Sequence, residues 1–319
     1  MFVQLITKVV QIDINPKRLN TITTIAHATT LSKMERDKLI DIFNETISLV
    51  SKHKSYEKPN GDIYEFKPVG ETFTYSSKIN INDVVKPYDG TDVIVADADC
   101  LDTAKKFIKD GCKCAVLNMA SFIRPGGGVL KGSAAQEESL FRRTNLFMSL
   151  YQFSGDMYQV TDIDKPILDV YPLPMRYGAI YSKNITVFRT SERTSDCHLM
   201  DDPFTIDVIT IAAVKKPQLE NGKLSKWVTE VLEGKVEMML DLCAIHGIDT
   251  PILGAFGCGA YGTPPEEMAK IFSSVIRKEK YKRVFRHIVF PIIDDHNSRK
   301  EHNPEGNFKP FNDILPHNI

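Results

Sequence analysis

The sequence has no excess of either charge: 40 Lys and Arg stand against 41 Asp and Glu, a formal net charge of −1. That balance leaves no general positive field to gather a polyanion, so any anion must be held locally. Direct binding of duplex nucleic acid is not expected. Cysteine is scarce, at six in 319 residues. Six do not make a disulfide scaffold in a chain this long, and Cys112 and Cys114 are too close for an ordinary bridge. No Cys/His spacing matches a zinc site. Reduced thiols point to a cytoplasmic protein, with a nuclear location open if the source is eukaryotic. No apolar run approaches the ~20 residues a membrane span needs. The opening MFVQLITKVVQIDINPK carries a short apolar run without a basic leader or a small-residue cleavage site. It reads as a strand, not a signal peptide. There is no internal repeat and no low-complexity tract.

What remains is an ordinary globular composition, 42% hydrophobic and 25% charged. The length suits one large domain with decoration or two modest ones. Leu39, Ile40, Phe43, Ile47 and Val50 recur with helical period, which predicts an amphipathic helix over Lys33–Ser51. Lys58-Pro59-Asn60-Gly61 predicts a turn within a hairpin. From Asp92 the rhythm changes. Strands are predicted at Asp92–Asp97, Lys113–Met119, Ala179–Phe188, Ile206–Val214, Pro251–Phe256 and Val284–Ile293. Between them come helices at Cys100–Lys109 with Asp99 as N-cap, at about Ala134–Phe153, at Lys223–His246 ending on Gly247, and at Pro264–Lys280. Strands alternating with helices predict a three-layer α/β domain, and the polar tail is expected as extended coil.

The most informative stretch is Asn118–Ser139, NMASFIRPGGGVLKGSAAQEES. Gly126, Gly127 and Gly128 follow a buried strand, where α/β sheets place their ligands. Glycine permits close backbone approach and positive φ. Gln136, Glu137 and Glu138 then open a helix. Taken singly, the glycines suit a surface loop and the glutamates a solvated helix start. Together they describe a phosphate-sugar site with acid chemistry. No Gly-Lys-Ser/Thr follows, so this is not a phosphate-loop ATPase motif.

The pattern Asn118-Met-Ala-Ser, Pro125-Gly-Gly-Gly, seven spacer residues and Gln136-Glu137-Glu138 resembles the signature of the poly(ADP-ribose) glycohydrolases, in their compact microbial type. These are catalytic relatives of the ADP-ribose-binding macrodomains. The resemblance implies a macrodomain-like fold with a mixed central sheet and helices on both faces. Residues 91–319 would form the catalytic domain, and residues 1–90 an N-terminal extension that caps the pocket. It also implies cleavage of ribose–ribose bonds without a metal or organic cofactor, mainly at chain ends, releasing ADP-ribose and reversing ADP-ribosylation, as in a DNA damage response. Glu138 would be the general acid and later the base. Glu137 would bind the hydroxyls of the ribose being cut, Gln136 the glycosidic region, and Asn118 the terminal ribose. Gly126–Gly128 would bring backbone N–H groups to the substrate. An acid of this kind needs a raised pKa, from burial or from a like-charged neighbour.

A second glycine loop runs Gly254, Ala255, Phe256, Gly257, Cys258, Gly259, Ala260, Tyr261, Gly262. It reads either as a tight strand-to-helix turn or as a backbone anion nest suited to a diphosphate. It matches the diphosphate loop of the same family, with Tyr261 where the family commonly has Phe and Thr263 where Asn often follows. Gly257, Gly259 and Gly262 also satisfy GxGxxG, the mark of dinucleotide oxidoreductases. Against that rival, the motif sits near the C-terminus and leaves the first loop unexplained. Asp97 is a candidate acceptor for the adenine amino group, or a strand-end turn residue. Arg142-Arg143 reads as a solvated helix face, Lys215-Lys216 as surface, and Trp227 as packing.

The sequence therefore points to a glycohydrolase acting on poly(ADP-ribose) or ADP-ribosylated protein, with ADP-ribose as product ligand. Two alternatives stay open: a hydrolase of mono-ADP-ribose on protein or nucleic acid, and a noncatalytic ADP-ribose reader.

Overall fold

The computed structural model describes residues 36–81, 84–154, 167, 169–295 and 298–319. The strand expected at the start of the chain lies outside them. The apolar stripe at Leu39, Phe43 and Ile47 makes α1 (Arg36–Ile47), which runs into a turn of π-helix at Ser48–His53. The Asn60-Gly61 turn joins β1 (Ser55–Glu57) to β2 (Ile63–Glu65) as an antiparallel hairpin. There follow β3 (Thr72–Tyr75), β4 (Asp92–Ala96), α2 (Cys100–Lys109) and β5 (Cys114–Met119). Asp99 caps α2 by accepting from the Leu101 and Asp102 N–H groups, at 2.9 and 3.0 Å.

The helix expected over Ala134–Phe153 is broken in two: α3 (Gln136–Arg143) and α4 (Leu146–Leu150), the latter continued by a short 3₁₀ turn. Thr144 between them is extended and bridges to Val187. Its hydroxyl donates to the Leu140 carbonyl at 2.7 Å and accepts from the Leu146 N–H at 3.0 Å, ending one helix and starting the next. The chain continues with β6 (Ala179–Arg189) and β7 (Leu199–Ile211), then the small hairpin β8 (Leu219–Glu220) and β9 (Lys223–Leu224). Next come α5 (Lys226–Ile245), β10 (Thr250–Ile252), α6 (Pro265–Ile276) and β11 (His287–Pro291). Gly247 stops α5 with φ +69°. The tail, expected as coil, forms α7 (Phe308–Ile314), because Phe311 is buried against Phe272 and Phe290.

Seven strands make one mixed sheet in the order β3-β6-β7-β5-β10-β11-β4. β7, β5, β10, β11 and β4 run parallel, while β6 is antiparallel to both of its neighbours, β7 and β3. Side chains alternate across β5: Ala115 and Leu117 join the core under α5 and α6, and Cys114 and Val116 join the core under α1 to α4. Burial on both faces is why β5 reads as a continuous apolar run. The three-layer expectation matches this sheet. β3, from the stretch expected as an extension, is one of its two edge strands, and the described residues belong to one compact unit.

α1 supports the helix that carries the glutamates. Phe43 meets Phe141 and Phe147 at ring distances of 6.3 and 6.1 Å, a burial worth roughly 1.5–3 kcal/mol. The Thr46 hydroxyl donates to the Arg142 carbonyl at 2.7 Å. Two expectations change here. Arg142 and Arg143 are fully buried, not a solvated face, because each meets carboxylates distant in sequence. Arg142 binds Glu192 through both Nε and Nη2, and Arg143 binds Asp99 and Asp102 at 2.8 and 3.0 Å. Trp227, expected to pack, is 46% exposed. No helix among the described residues is long and apolar enough to cross a membrane.

Candidate active site

The parallel strands β7, β5, β10, β11 and β4 end on one side of the sheet. There the two glycine loops meet around a cavity of about 330 Å³. Gly127, Gln136, Glu137 and Glu138 form one part of its wall. Ala255, Phe256, Gly257, Gly259, Ala260 and Tyr261 form another.

Both glutamates are buried, at 4% and 7% exposure, and the first loop grips each by its backbone. Glu137 Oε2 accepts from Ser121 N at 2.7 Å, and its Oε1 from Gly126 N at 3.1 Å. Glu138 Oε1 accepts from Gly128 N at 2.8 Å, and its Oε2 from Ala135 N at 3.2 Å, closing the first turn of α3. Gly127 sits between them at φ +53°. A Cβ there would lie 2.6 Å from Glu138 Oε1 and 2.9 Å from Glu137 Oε2. Only glycine lets both carboxylates close on that spot. Burial pushes the Glu137 carboxyl up to about 8; the Ser121 and Gly126 N–H bonds pull it down, and the Glu138 charge adds to the rise.

Of the other expected residues, Gly126 and Gly128 spend their N–H groups on the glutamates, and of the three glycines only Gly127 reaches the cavity. Gln136 lines the cavity but its amide is tied to the end of β5. It accepts from Met119 N at 2.9 Å and donates to the Leu117 carbonyl at 2.6 Å, which fixes α3 against the sheet. Asn118 is fully buried behind the wall. It donates to Thr210 Oγ1 at 3.3 Å and helps hold the charged form of Glu137. Asp97 is exposed and outside the wall; its neighbour Asp99 lines the cavity instead. Gly254 and Cys258 stand behind the second loop, and burial pushes the Cys258 thiol well up. All six cysteines are free.

Gly257 has φ +78°, and a Cβ there would lie 2.8 Å from both Ala213 Cβ and Thr263 Oγ1, so the turn into α6 needs glycine. The loop leads into α6, which Pro265 opens. Tyr261 joins the two loops: its hydroxyl accepts from Phe122 N at 3.0 Å, and its ring meets Phe122 edge-on at 6.4 Å. Sequence reasoning did not find Ser121, Pro291, Ile292, Asp295 or Asn307 in the wall. The apolar Pro291-Ile292 at the end of a predicted strand was the one usable signal. Among the described residues, no group of three or more His, Cys, Asp or Glu is set to hold a metal ion.

A mixed α/β sheet with paired buried carboxylates and a second glycine-rich loop at its strand ends defines a hydrolase of the macrodomain type. Residues 21–190, more than half of the chain, match the family model of the microbial-type PARG catalytic domain. The chain belongs to this family of poly(ADP-ribose) glycohydrolases. Among curated proteins none matches. The fold is similar to that of poly(ADP-ribose) glycohydrolase from Thermomonospora curvata: TM-score 0.69, 24% identity, over 88% of this chain and 100% of that one. A structure of that protein bound to the inhibitor ADP-HPD aligns with TM-score 0.67 and 24% identity, over 87% of this chain and 99% of the other. The glycohydrolase from Deinococcus radiodurans in complex with ADP-ribose aligns with TM-score 0.55 and 24% identity, over 72% and 85% of the two chains.

Proposed function

We propose that this glycohydrolase removes ADP-ribose from the ends of poly(ADP-ribose), with Glu138 as general acid and then base. The observation that carries the reading is the convergence of two buried carboxylates beside Gly127, in the wall of a cavity faced by a second glycine loop. Burial pushes the Glu137 carboxyl up to about 8. Ribose hydroxyls hydrogen-bond Glu137, and Glu138 closes on the same spot beside Gly127. Glu138 gives a proton to the leaving ribose oxygen as the glycosidic bond breaks through an oxocarbenium-like state. Glu138 then takes a proton from the attacking water, and ADP-ribose departs. The second loop holds the diphosphate, and the Tyr261 ring packs against the terminal ribose.

A walled cavity suits a chain end better than the middle of a polymer, and the near-zero net charge argues against tracking along a polyanion. The Deinococcus radiodurans complex with ADP-ribose and the inhibitor complex of the Thermomonospora curvata protein support an ADP-ribose-type ligand. Free thiols fit an intracellular site of action.

Labelled poly(ADP-ribose) incubated with the wild type and with Glu138→Gln tests the proposal. Free ADP-ribose is expected from the wild type, with a loss of ~10²-fold or more in the variant. Intact polymer bound by both proteins would replace the reading with a noncatalytic reader. Product from mono-modified targets alone would replace it with a mono-ADP-ribosyl hydrolase.

A further inference from the structure

The second glycine loop is held from behind by residues near the chain's C-terminal end. The Cys258 carbonyl accepts from His302 Nε2 at 2.8 Å and from Asn303 Nδ2 at 3.2 Å. A carbonyl only accepts, so His302 carries its proton on Nε2 here. Asn303 is fully buried and also donates from Nδ2 to Asn307 Oδ1 at 2.8 Å, while its own Oδ1 accepts from Lys300 N at 2.8 Å. Asp294 ties both ends of this segment: its Oδ1 accepts from Ser298 Oγ at 3.0 Å and from Asn307 N at 2.6 Å. The same segment brings Asn307 into the cavity wall.

The direction of one peptide makes this arrangement functional. In a trans peptide the C=O and the following N–H point opposite ways. Turning the Cys258 carbonyl toward His302 and Asn303 therefore turns the Gly259 N–H away from them, on the side where Gly259 faces the cavity. Among the described residues, the N–H groups of Gly259, Ala260 and Tyr261 donate to no protein acceptor. They are three free donors in consecutive residues, grouped as an anion nest requires.

We propose that Ser298–Phe308 is a strap that aims the Gly259 N–H at the substrate diphosphate, with His302 and Asn303 as its positioning residues. The proposal rests on ADP-ribose as the ligand of this cavity. The strap acts on binding of the terminal unit and not on bond cleavage, because it touches the diphosphate loop and neither glutamate.

The test compares His302→Ala, His302→Gln and wild type. The glutamine amide places a donor close to where Nε2 stands, so it keeps the bond to Cys258. His302→Ala is expected to weaken ADP-ribose binding about 5- to 10-fold by calorimetry and to raise KM for polymer by a similar factor, with kcat within about twofold. His302→Gln is expected to recover most of the affinity. Asn303→Ala, which also loosens the strap itself, is expected to show a larger loss of ADP-ribose affinity and a lower Tm. Unchanged ADP-ribose affinity in His302→Ala, or a loss confined to kcat, would overturn the proposal. So would His302→Gln binding as weakly as His302→Ala, or a wild type without ADP-ribose affinity. A wild type that binds ADP-ribose yet leaves polymer intact would instead sink the catalytic reading and leave the strap standing.

Discussion

The Tyr261 hydroxyl accepts a hydrogen bond from the Phe122 backbone N–H at 3.0 Å, and that bond spans the two glycine loops of the site. Phe122 follows Ser121, whose N–H grips Glu137. One phenol thus connects the loop expected to hold the diphosphate to the carboxylate expected to hold the ribose.

The ring and the hydroxyl of Tyr261 should separate on substitution. Tyr261→Phe keeps the ring and frees one backbone donor, at a cost of about 0.5–1.5 kcal/mol of stability. Its kcat/KM is expected within about threefold of wild type. Tyr261→Ala removes the packing surface as well, and kcat/KM should fall by ~10²-fold. Steady-state assays on defined-length polymer, read beside thermal melts, distinguish the two. Equal losses in both variants would assign the role to the hydroxyl.

Gly127→Ala is expected to damage catalysis more than folding. Its positive φ costs an alanine roughly 1–2 kcal/mol. The new methyl would also push on Glu138 Oε1 and Glu137 Oε2, which leave it no room. A fall in kcat/KM of ~10²-fold is expected, with Tm lower by only a few degrees. Near-wild-type turnover would show that the carboxylates need not converge there.

The pH dependence of stability should report on Glu137. Its folded pKa of about 8 lies above its ordinary value of 4.5, so the folded protein keeps a proton that the unfolded chain releases. Stability from this group therefore falls as pH rises between those values and levels off above about 8. Glu137→Gln copies the protonated form and removes that fall. The Tm of the variant minus that of the wild type should grow by several degrees from about pH 5 to about pH 8.5. A difference that stays flat would mean that Glu137 is ionised in the folded protein across the whole range.

Much of the fold was legible because its strands are buried on both faces. β4, β5 and β6 begin and end within a residue or two of the apolar runs that predicted them, and the Asp99 cap of α2 stood where a short acceptor precedes a helix. The two glycine loops were legible because glycine at fixed spacing has a steric cause. What sequence hid was long-range. Arg142 and Arg143 look like a solvated pair until Glu192, Asp99 and Asp102 arrive from other elements. The break at Thr144 depends on its bridge to Val187. The Gly126 and Gly128 N–H groups, expected to face substrate, are taken by Glu137 and Glu138, a competition that spacing does not display. The segment after Asp294 has no periodicity to read, since side-chain hydrogen bonds order it and an apolar stripe does not.

The order of strands in the sheet has a consequence during synthesis. β5 carries the first loop, yet its neighbours β7 and β10 both come later in the chain, and the residues that steady the second loop come later still. A nascent chain that has emerged only through α3 holds both glutamates but no second loop, and its central strand has neither partner. The cavity wall is completed only with the second loop and the residues that hold it, so a product that stops before Gly254 carries both glutamates in half a wall and should bind ADP-ribose far more weakly than the whole chain.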